Sequence, residues 1–420
     1  MDILVVGNGG REHAICVALK KSDKCGKIYC AKGNAGIGEI ASLVDIDPCD
    51  IEGICDFVDK NKNIALTVVA PDDPLALGLV DELQKRGHRA FGPNKAAAII
   101  EASKAFSKDM MKKYGIPTAK YETFDSFESA LCYAKEQKYP LVVKADGLAL
   151  GKGVIICQNF DEAKKALDDM FNVGVFGKAG SKVVIEEFLT GKEVSVLSFC
   201  DSKTIYPMVA SCDHKRANDN DEGLNTGGMG TIAPSPFYTN QIAKEVEEKI
   251  MLPTMHAMND LGRPFKGVLY FGLIVTDDGV KVIEYNARFG DPETQVVLPL
   301  LKTDLLEVFE AVIDERLSDI EIEWSNKCAV CVMLASGGYP EKYEKGKEIT
   351  IGALPENVTL YHSGTKMNDG KLVTNGGRVI GVTAVCDSLK EAKQLSYKAI
   401  ESISFDKMHF RHDIGDKFIK

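Results

Sequence analysis

The first hundred residues alternate between short apolar runs and amphipathic helical patterns, and this alternation constrains the fold more than any other feature. Strands that alternate with helices form a parallel sheet with helical crossovers. We therefore predict a parallel α/β domain over residues 1–101. Its buried strands are predicted at 3–6, 27–30, 64–69 and 89–91, and its helices at 11–20, 50–60 and 75–86.

Two further regions follow, predicted as one domain over residues 102–317 and a smaller strand-rich α/β domain over residues 327–420. In the second region, the polar and glycine-rich segment 212–230 is predicted to be a long loop, and long loops inside compact domains are often functional. The other predicted elements of that region are helices 104–114, 160–171 and 241–261 and strands 141–144, 153–156, 182–187, 193–200, 267–276 and 280–285. The last region is predicted to contain strands 328–334, 359–364 and 377–385 and helix 389–402.

Composition excludes several classes of function. The 420-residue chain carries a net charge of −10, which argues against a general nucleic-acid or acidic-membrane surface. No apolar run approaches the roughly 20 residues of a membrane helix, and the start lacks the basic residues of a signal peptide, so we expect a cytoplasmic protein. Cys328 and Cys331 have C-x-x-C spacing inside an apolar run. No second Cys or His pair lies nearby, which disfavours a zinc site.

The strongest chemical signal lies at the end of the strand predicted over 280–285. Side chains on a strand alternate between faces, so Glu284, Asn286 and Arg288 lie on one face while strand geometry lasts. Mg²⁺ binds oxygen ligands, usually one or two side chains together with nucleotide phosphates. Arginine adds a planar fork that matches phosphate or carboxylate. These residues predict a site for Mg²⁺ and phosphate, although a solvated strand end would show the same pattern.

A glycine-rich turn, Gly7-Asn8-Gly9-Gly10-Arg11-Glu12-His13, follows the first strand and opens a helix, which is where the dinucleotide fingerprint of a Rossmann fold lies. Glu12 stands where the fingerprint has its third glycine. In addition, no acidic residue follows the second strand to bind a ribose. The free N–H groups of the helix start still favour an anion. We therefore predict a Rossmann-like domain whose turn binds a substrate phosphate in preference to NAD. A tight turn that requires glycine is the remaining alternative.

A second glycine-rich turn spans residues 147–153, between Lys144 and Val154. It is not a Walker A loop, because the spacing before Gly151 and Lys152 is wrong and Gly153 stands where Ser or Thr would hold Mg²⁺. It also joins two strands. We interpret it as a lid that closes over nucleotide phosphates, with an ordinary surface hairpin as the alternative.

Several segments together resemble the ATP-grasp ligases in order and spacing. They are Ser103-Lys104, Lys144 with turn 147–153, Glu186-Glu187-Phe188-Leu189 with Glu193, and Glu284-Tyr285-Asn286. More narrowly, the chain resembles the phosphoribosylamine–glycine ligase (glycinamide ribonucleotide synthetase) family. That likeness rests on residues 7–13, Asp213-His214-Lys215-Arg216, residues 225–230, residues 288–295 and Thr374-Asn375-Gly376-Gly377-Arg378. The resemblance implies a two-lobed ATP-grasp fold over 102–317, with a mobile lid lobe at about 118–190.

The resemblance also implies how ATP is bound. Lysines would neutralise its phosphates, Glu186 and the backbone of Glu187 and Leu189 would contact adenine, and Glu193 would accept from the ribose hydroxyls. Glu284 and Asn286 would hold Mg²⁺ or Mn²⁺. In the wider superfamily a further carboxylate often stands on the preceding strand, where this chain has Gly272. The ATP residues implied in this way are Lys104, Lys144, Gly147, Gly151, Lys152, Gly153, Glu186, Glu187, Leu189 and Glu193.

The reaction implied by the resemblance is amide formation in de novo purine synthesis. ATP would phosphorylate glycine, and the amine of 5-phosphoribosylamine would displace phosphate from the glycyl phosphate. The product would be glycinamide ribonucleotide. The implied catalytic residues are Arg288, Asp213, His214 and Lys215. Substrate contacts would come from Gly9, Gly10, Arg11, Glu12, Asn225, Thr226, Gly227, Gly228, Met229, Gly230, Asp291, Pro292, Glu293 and Thr294.

Two other functions stay open from the sequence. One is a different ATP-grasp carboxylate–amine ligase, and the other is a non-catalytic module that senses nucleotide or binds NAD. The expected partners are the small substrates ATP, glycine and 5-phosphoribosylamine, without nucleic acid or membrane. We expect a monomer or a weak homodimer.

Overall fold

The computed structural model describes residues 1–148 and 153–419. The predicted ATP residues Gly151 and Lys152 therefore lie outside the described residues. None of the helices in the described part of the chain combines the length and apolar character that a membrane span requires.

The N-terminal region is a five-stranded parallel sheet in the order β3-β2-β1-β4-β5, which confirms the predicted α/β domain type. All four predicted strands are present. The sheet is built from β1 (Asp2–Gly7), β2 (Ile28–Lys32), β3 (Ser42–Val44), β4 (Ile64–Val69) and β5 (Ala90–Phe91). Its helices are α1 (Gly10–Leu19), α2 (Ile37–Ile40), α3 (Ile51–Lys60), α4 (Asp72–Leu77), α5 (Leu79–Lys85) and α6 (Lys95–Ala102).

The helix predicted over 75–86 is wrong as a single element. Gly78 interrupts it with a φ of +99°, a left-handed conformation that favours glycine and ends a helix. The structure therefore has α4 before Gly78 and α5 after it. The short elements α2 and β3 were not predicted because they carry too few residues to display a period.

The lobe at about 118–190, named the lid after the role that the resemblance implies, is a small four-stranded sheet covered by two helices. It follows α7 (Lys104–Tyr114) and contains β6 (Tyr121–Phe124), α8 (Phe127–Glu136), β7 (Leu141–Ala145), β8 (Val154–Cys157), α9 (Phe160–Phe171) and β9 (Val183–Glu187), in the sheet order β6-β9-β7-β8. Its buried apolar side chains form a cluster of their own, separate from the two larger clusters of the molecule. The lid can therefore keep its shape if it moves relative to the rest.

The central sheet carries the region with the strongest chemical signal. The predicted hairpin over 267–285 is present as β16 paired with β17, in the sheet order β11-β10-β16-β17. The predicted helix 241–261 is continuous but contains a π-helical turn at Glu247–Met251. The elements are β10 (Lys192–Asp201), β11 (Ile205–Pro207), β12 (Cys212–Asp213), β13 (Arg216–Asn218), β14 (Glu222–Asn225), β15 (Gly230–Ala233), α10 (Asn240–Val246), α11 (Leu252–Asp260), β16 (Lys266–Thr276), β17 (Gly279–Asn286), α12 (Thr294–Val297) and α13 (Leu305–Ile313).

The prediction of one long loop over 212–230 is wrong. β12 and β15 join a sheet with strands from the last region, in the order β12-β15-β18-β23-β20, and β13 pairs with β14 as a hairpin. These strands have two to four residues each, and β15 pairs with β18, a hundred residues further along the chain. The C-terminal elements are β18 (Cys328–Ser336), β19 (Thr350–Ile351), β20 (Val358–His362), β21 (Thr365–Asn368), β22 (Lys371–Thr374), β23 (Arg378–Cys386), α14 (Leu389–Ile400), β24 (Ile403–Ser404) and β25 (Met408–His409).

Candidate active site

A cleft of about 770 Å³ opens between the lid, the central sheet and the segment 212–227. The structure gathers most of the predicted site residues on its walls, although they come from distant parts of the sequence. The predicted residues that line it are Lys104, Lys144, Gly147, Gly153, Glu186, Glu187, Leu189, Glu193, Asp213, Lys215, Asn225, Thr226, Gly227, Glu284, Asn286, Arg288, Asp291 and Glu293.

Lys144 joins the lid to the central sheet. Its Nζ lies 3.0 Å from Glu186 Oε1 and donates to the carbonyl oxygen of Ile283 at 3.2 Å. That carbonyl is available because a β-bulge sets Gly272 opposite Glu284 but Leu273 opposite Val282, so that Ile283 has no partner across the sheet. The bulge therefore directs a backbone acceptor at the lysine.

Lys108 is a site residue that the sequence analysis missed. It follows Lys104 by one helical turn, so both lie on one face of α7. Its Nζ lies 2.9 Å from Glu186 Oε2 and donates to Thr118 Oγ1 at 2.7 Å. Burial lowers the pKa of Lys108 to about 8. Glu186 is thus held between two buried lysines and is not a solvated surface residue.

The start of α7 is tied to the beginning of the second glycine-rich turn. Ser103 and the backbone N–H of Ala105 both donate to Asp146 Oδ1 at 3.0 Å. Lys104 Nζ donates to the carbonyl oxygen of Gly147 at 2.8 Å. Lys104 is thereby aimed into the cleft beside Lys144.

The lid edge below Glu186 supplies further polar groups. Glu187 lines the cleft, and its side chain accepts from the N–H of Lys120 at 2.9 Å. Glu193 Oε2 lies 3.1 Å from Lys215 Nζ, and Lys215 Nζ lies 3.9 Å from Glu284 Oε1. Glu193 raises the pKa of Lys215 well above its usual value, against the opposing effect of burial. The Lys215 ammonium therefore lies between Glu193, the predicted ribose contact, and Glu284, the predicted metal ligand.

Glu284 and Asn286 provide the oxygen atoms that a hard cation needs. Burial alone would raise the pKa of Glu284, but the neighbouring lysines, Lys215 foremost, lower it below its usual value, so the carboxylate is ionised. No described residue bonds to the Asn286 side chain, which lines the same cleft. A Cβ at Gly272 would lie 3.0 Å from Glu284 Cγ, so a larger side chain there would press on the carboxylate. The donor set fits Mg²⁺ with few protein ligands.

Arg288 is held at the cleft by a buried carboxylate that the sequence analysis missed. Its Nη2 lies 2.9 Å from Glu101 Oε1, and Glu101 Oε2 accepts from the N–H of Ala287 at 2.7 Å. Arg288 lines the cleft, and its Nε is buried without a hydrogen-bond partner among the described residues. Asp72 lines the same part of the cleft.

Asp213 and Glu293 are two neighbouring carboxyl groups that line the cleft. Burial, followed by the charge of Glu293, raises the pKa of Asp213 well above its usual value. Glu293 Oε1 accepts from Tyr270 OH at 3.1 Å, and that hydroxyl also contacts Ser195 Oγ at 2.7 Å. Asp213 is therefore suited to hold or accept a proton.

The first glycine-rich turn lies behind the cleft, and the side chain of Glu12 occupies the space inside the turn. Glu12 accepts from the N–H of Gly9 at 2.6 Å and from Arg11 Nε at 2.5 Å. The N–H of Arg11 donates to Asp291 Oδ2 at 3.2 Å, and Gly10 packs against Gln295. The turn thus reaches the cleft through Asp291, whereas Gly9, Gly10, Arg11 and Glu12 themselves are absent from its described lining.

Arg378, the last residue of the motif at 374–378, links two predicted substrate segments that lie next to each other. Its Nη1 donates to the carbonyl oxygens of Asp291 at 2.8 Å and Gly227 at 2.5 Å. Its Nη2 lies 3.3 Å from Asp291 Oδ1. A C-terminal strand therefore fixes two predicted substrate segments against each other.

Four predicted substrate residues support the cleft from behind. Gly228 has a φ of +109°, and a Cβ there would lie 2.5 Å from Pro292 Cδ and 2.6 Å from Asp213 Oδ1. Thr294 Oγ1 donates to the carbonyl oxygen of Gly290 at 2.5 Å. Met229 is fully buried, and Gly230 begins β15.

His214 does not face the cleft. The N–H of Gly415 donates to its Nε2 at 3.1 Å, so its Nδ1 donates to the carbonyl oxygen of Gly230 at 3.1 Å. Burial lowers the pKa of His214 to about 4. Both ring nitrogens are occupied by backbone groups, which leaves neither for a substrate.

Models of three domains of one family match consecutive parts of the chain. The N domain of phosphoribosylglycinamide synthetase matches residues 1–101. The ATP-grasp (A) domain of phosphoribosylglycinamide synthetase matches residues 102–294, and the C domain matches residues 329–417.

Full-length relatives carry one name. A protein of Caldanaerobacter subterraneus subsp. tengcongensis, phosphoribosylamine–glycine ligase, is 50% identical over 415 residues, which cover 99% of each chain. The protein of the same name from Halalkalibacterium halodurans is 46% identical over 420 residues, covering 100% of this chain and 97% of the relative.

Solved structures agree with the fold. The phosphoribosylamine–glycine ligase of Thermotoga maritima has a TM-score of 0.85 at 32% identity, covering 99% of this chain and 100% of the other. The biotin carboxylase domain of the Hydrogenobacter thermophilus 2-oxoglutarate carboxylase has a TM-score of 0.74 at 16% identity, covering 97% and 91%. At that identity the second likeness extends to the fold alone.

Proposed function

Because the chain belongs to the phosphoribosylglycinamide synthetase family, we propose that its large cleft is where an ADP-forming carbon–nitrogen ligase joins glycine to an amine. The enzyme is a phosphoribosylamine–glycine ligase of de novo purine biosynthesis. It uses ATP to form glycinamide ribonucleotide from 5-phosphoribosylamine and glycine through glycyl phosphate. ADP and phosphate are the other products.

One observation carries this assignment of the site. The buried Glu186, the two lysines that flank it and the ionised Glu284 all line one cleft between the lid and the central sheet. Lys104 and Lys144 would neutralise ATP phosphates, and the edge at Glu186–Leu189 would receive adenine. Glu193 would accept from the ribose once Lys215 moves aside.

We assign the divalent cation, Mg²⁺ or Mn²⁺, to Glu284 and Asn286. When bound, the cation would neutralise negative charge that develops on the phosphates during phosphoryl transfer. The protein's own part is to hold an ionised carboxylate and an amide oxygen side by side on β17. Gly272 keeps the space beside Glu284 free.

Arg288 is our candidate for the group that binds glycine and stabilises glycyl phosphate. It is fixed by Glu101 and lines the cleft, where its planar guanidinium would pair with a carboxylate or phosphate. No nucleophilic side chain is required, since placement of reactants alone can contribute effective molarities of about 10⁵–10⁸ M. Catalysis would then rest on positioning and on cations at the developing charge.

The amine must lose a proton as it attacks. Asp213 is our candidate acceptor, because burial raises its pKa and so makes it a stronger base than an ordinary aspartate, and because it borders the cleft. Asn225, Thr226 and Gly227 would bind the phosphoribosyl group beside it, and Asp291, held by Arg378, would complete that wall. His214 takes no part in the chemistry of this proposal.

Three further proposals concern the domains, the oligomeric state and the location of the enzyme. The domains would be residues 1–101, residues 102–317 with a lid at about 118–190, and residues 327–420. The enzyme would act as a monomer or weak homodimer. It would work in the cytoplasm, which is supported by twelve cysteines that are all unpaired in the described chain.

The proposal is tested by measuring ADP release from ATP, Mg²⁺, glycine and freshly generated phosphoribosylamine. ADP release above the background without glycine supports it, together with loss of that release in Glu284→Ala. Glycine-independent release would overturn it. Nucleotide binding without turnover would instead support a sensor, and turnover only with other carboxylates or amines would support a different ATP-grasp ligase.

A further inference from the structure

The segment 411–418 crosses from the end of the C-terminal sheet to the wall of the cleft. Lys417 and Phe418 line the cleft beside Asp221 and Asn225. The Phe418 ring packs against Phe237, with centroids 5.1 Å apart. None of the sequence motifs includes this segment, and the proposed chemistry does not use it.

Arg411 is the anchor of the segment. It is fully buried, and its guanidinium forms a two-pronged pair with Asp413, with both N–O distances 2.8 Å. Its Nη1 donates to Asp221 Oδ1 at 2.9 Å and to the carbonyl oxygen of Arg216 at 3.2 Å. A buried arginine with this many partners fixes the hairpin of β13 and β14 to the segment.

The turn of that hairpin needs such support. Asn220 and Asp221 have φ values of +59° and +55°, a left-handed conformation that carries a cost for residues other than glycine, although Asn and Asp adopt it more readily than most. The N–H of Asn220 donates to Asp413 Oδ2 at 2.8 Å, and Asp219 accepts from the N–H of His412 at 2.7 Å. Lys417 also pairs with Asp221. Segment 411–418 supplies these contacts.

The same segment also contacts the beginning of the cleft wall formed by residues 213–227. Gly415 donates to His214, the residue between Asp213 and Lys215, and a Cβ at Gly230 would lie 2.8 Å from Ile414 Cδ1. Phe418 packs against the His214 ring at 5.7 Å. Asp213 and Lys215 therefore point into the cleft while the residue between them is held from behind.

We propose that segment 411–418 is a positioning element that sets the wall from Asp213 to Gly227 for attack by the amine. This rests on the proposed function. The wall carries the candidate proton acceptor and the candidate phosphoribosyl contacts. The phosphate and adenine groups Lys104, Lys144 and Glu186 belong to α7 and the lid, and none of their contacts involves the segment.

The root of the segment offers a mild variant. Tyr397 OH, on α14, donates to the carbonyl oxygen of Arg411 at 2.7 Å and accepts from the N–H of Ile414 at 3.1 Å. Tyr397→Phe removes both bonds without touching the cleft. Tyr206→Phe is the matched control, because Tyr206 OH donates to the carbonyl oxygen of Ile322 at 2.9 Å, away from the segment. Asp413→Asn is a second variant that weakens the Arg411 anchor.

The experiment compares kcat/KM for phosphoribosylamine with the Kd of MgADP, and melting temperature reports folding. We expect Tyr397→Phe and Asp413→Asn to lower kcat/KM for phosphoribosylamine by about tenfold to a hundredfold, since small misplacements have effects of this size. We expect the Kd of MgADP to stay within about twofold, because its binding groups are unchanged.

Each outcome decides a different point. If the wild-type enzyme releases no glycine-dependent ADP, the proposed function fails. If the wild type is active but both variants keep its kcat/KM, or lose MgADP affinity in parallel, the positioning role is refuted. An equal loss in Tyr206→Phe would also refute it, since the effect would then be a general one. If Tyr397→Phe does not fold, Asp413→Asn decides.

Discussion

Lys144 Nζ on the lid donates to the carbonyl oxygen of Ile283 on the central sheet, 3.2 Å away. The contact joins the lid to the strand that carries Glu284 and Asn286. It exists because of the β-bulge that leaves Ile283 unpaired. Nucleotide phosphates and a bound cation would meet where this lysine lies.

Lys144→Met should lower kcat/KM for ATP by about a hundredfold to a thousandfold, the usual effect of removing one preorganised charge from a transition state. Steady-state ADP release at varied ATP measures it. Lys135→Met, an exposed lysine of the same lobe, is the control and should behave as wild type. Equal kinetics in the two variants would show that Lys144 does not contact the transferred phosphoryl group.

Glu284→Gln should weaken binding of the divalent cation, because it replaces the ionised carboxylate of the proposed pair. We expect the Kd of Mn²⁺ in the presence of ADP, measured by electron paramagnetic resonance, to rise by at least about tenfold. Glu321→Gln alters an exposed carboxylate and serves as the control. Unchanged Mn²⁺ affinity would remove Glu284 from the metal site.

Gly228→Ala should damage the amine side of the cleft. Its Cβ would collide with Pro292 Cδ and Asp213 Oδ1 at a φ of +109°. We expect a loss of about 1–3 kcal/mol in the free energy of unfolding, from backbone strain, and a lower kcat/KM for phosphoribosylamine. Gly346→Ala has a φ of +82° with nothing within 4 Å, so it isolates strain from collision. If both variants lose the same activity, the contact with Asp213 is irrelevant.

Two buried histidines between α1 and β20 make the fold sensitive to acid. The N–H of His362 donates to His13 Nδ1 at 2.8 Å. Burial lowers the pKa of His13 to about 3 and that of His362 to about 4. Below about pH 6.5 the unfolded chain gains protons that the folded chain does not take up. The stability is therefore complete above that pH and is lost as the pH falls towards 4.

His362→Gln should flatten this dependence by about 1.4 kcal/mol per pH unit between roughly pH 6 and 4.5. Urea unfolding at several pH values measures the slope. His256→Gln, at an exposed position, should leave the slope as in wild type. A slope in His362→Gln equal to that of the wild type would contradict the assignment.

Elements with a clear hydrophobic period were predicted well from the sequence. Helix 104–114 and helix 160–171 agree with the structure to the residue. The hairpin of β13 and β14 was missed because its strands are only three and four residues long and its turn is held by Arg411, which no local pattern records. The broken helix at Gly78 was missed because the apolar period continues across it.

The candidate site was predictable where motifs face the cleft, and less so behind it. Glu284 and Lys144 follow from strand alternation and a glycine-rich turn. Glu101 becomes visible only through its partner Arg288, and Arg378, although part of a motif, shows its role only through its contacts with Asp291. His214 stands inside a polar motif, yet its ring is bound by Gly415 from a segment two hundred residues away.

The most direct test of the whole account follows the oxygen atoms of glycine. Glycine labelled with ¹⁸O in its carboxylate is incubated with the enzyme, ATP, Mg²⁺ and freshly generated phosphoribosylamine, and the released phosphate is analysed by mass spectrometry. If glycyl phosphate forms in the cleft, each turnover transfers one labelled oxygen to phosphate, and Glu284→Ala abolishes the transfer. Glycinamide ribonucleotide formed together with unlabelled phosphate would contradict the account.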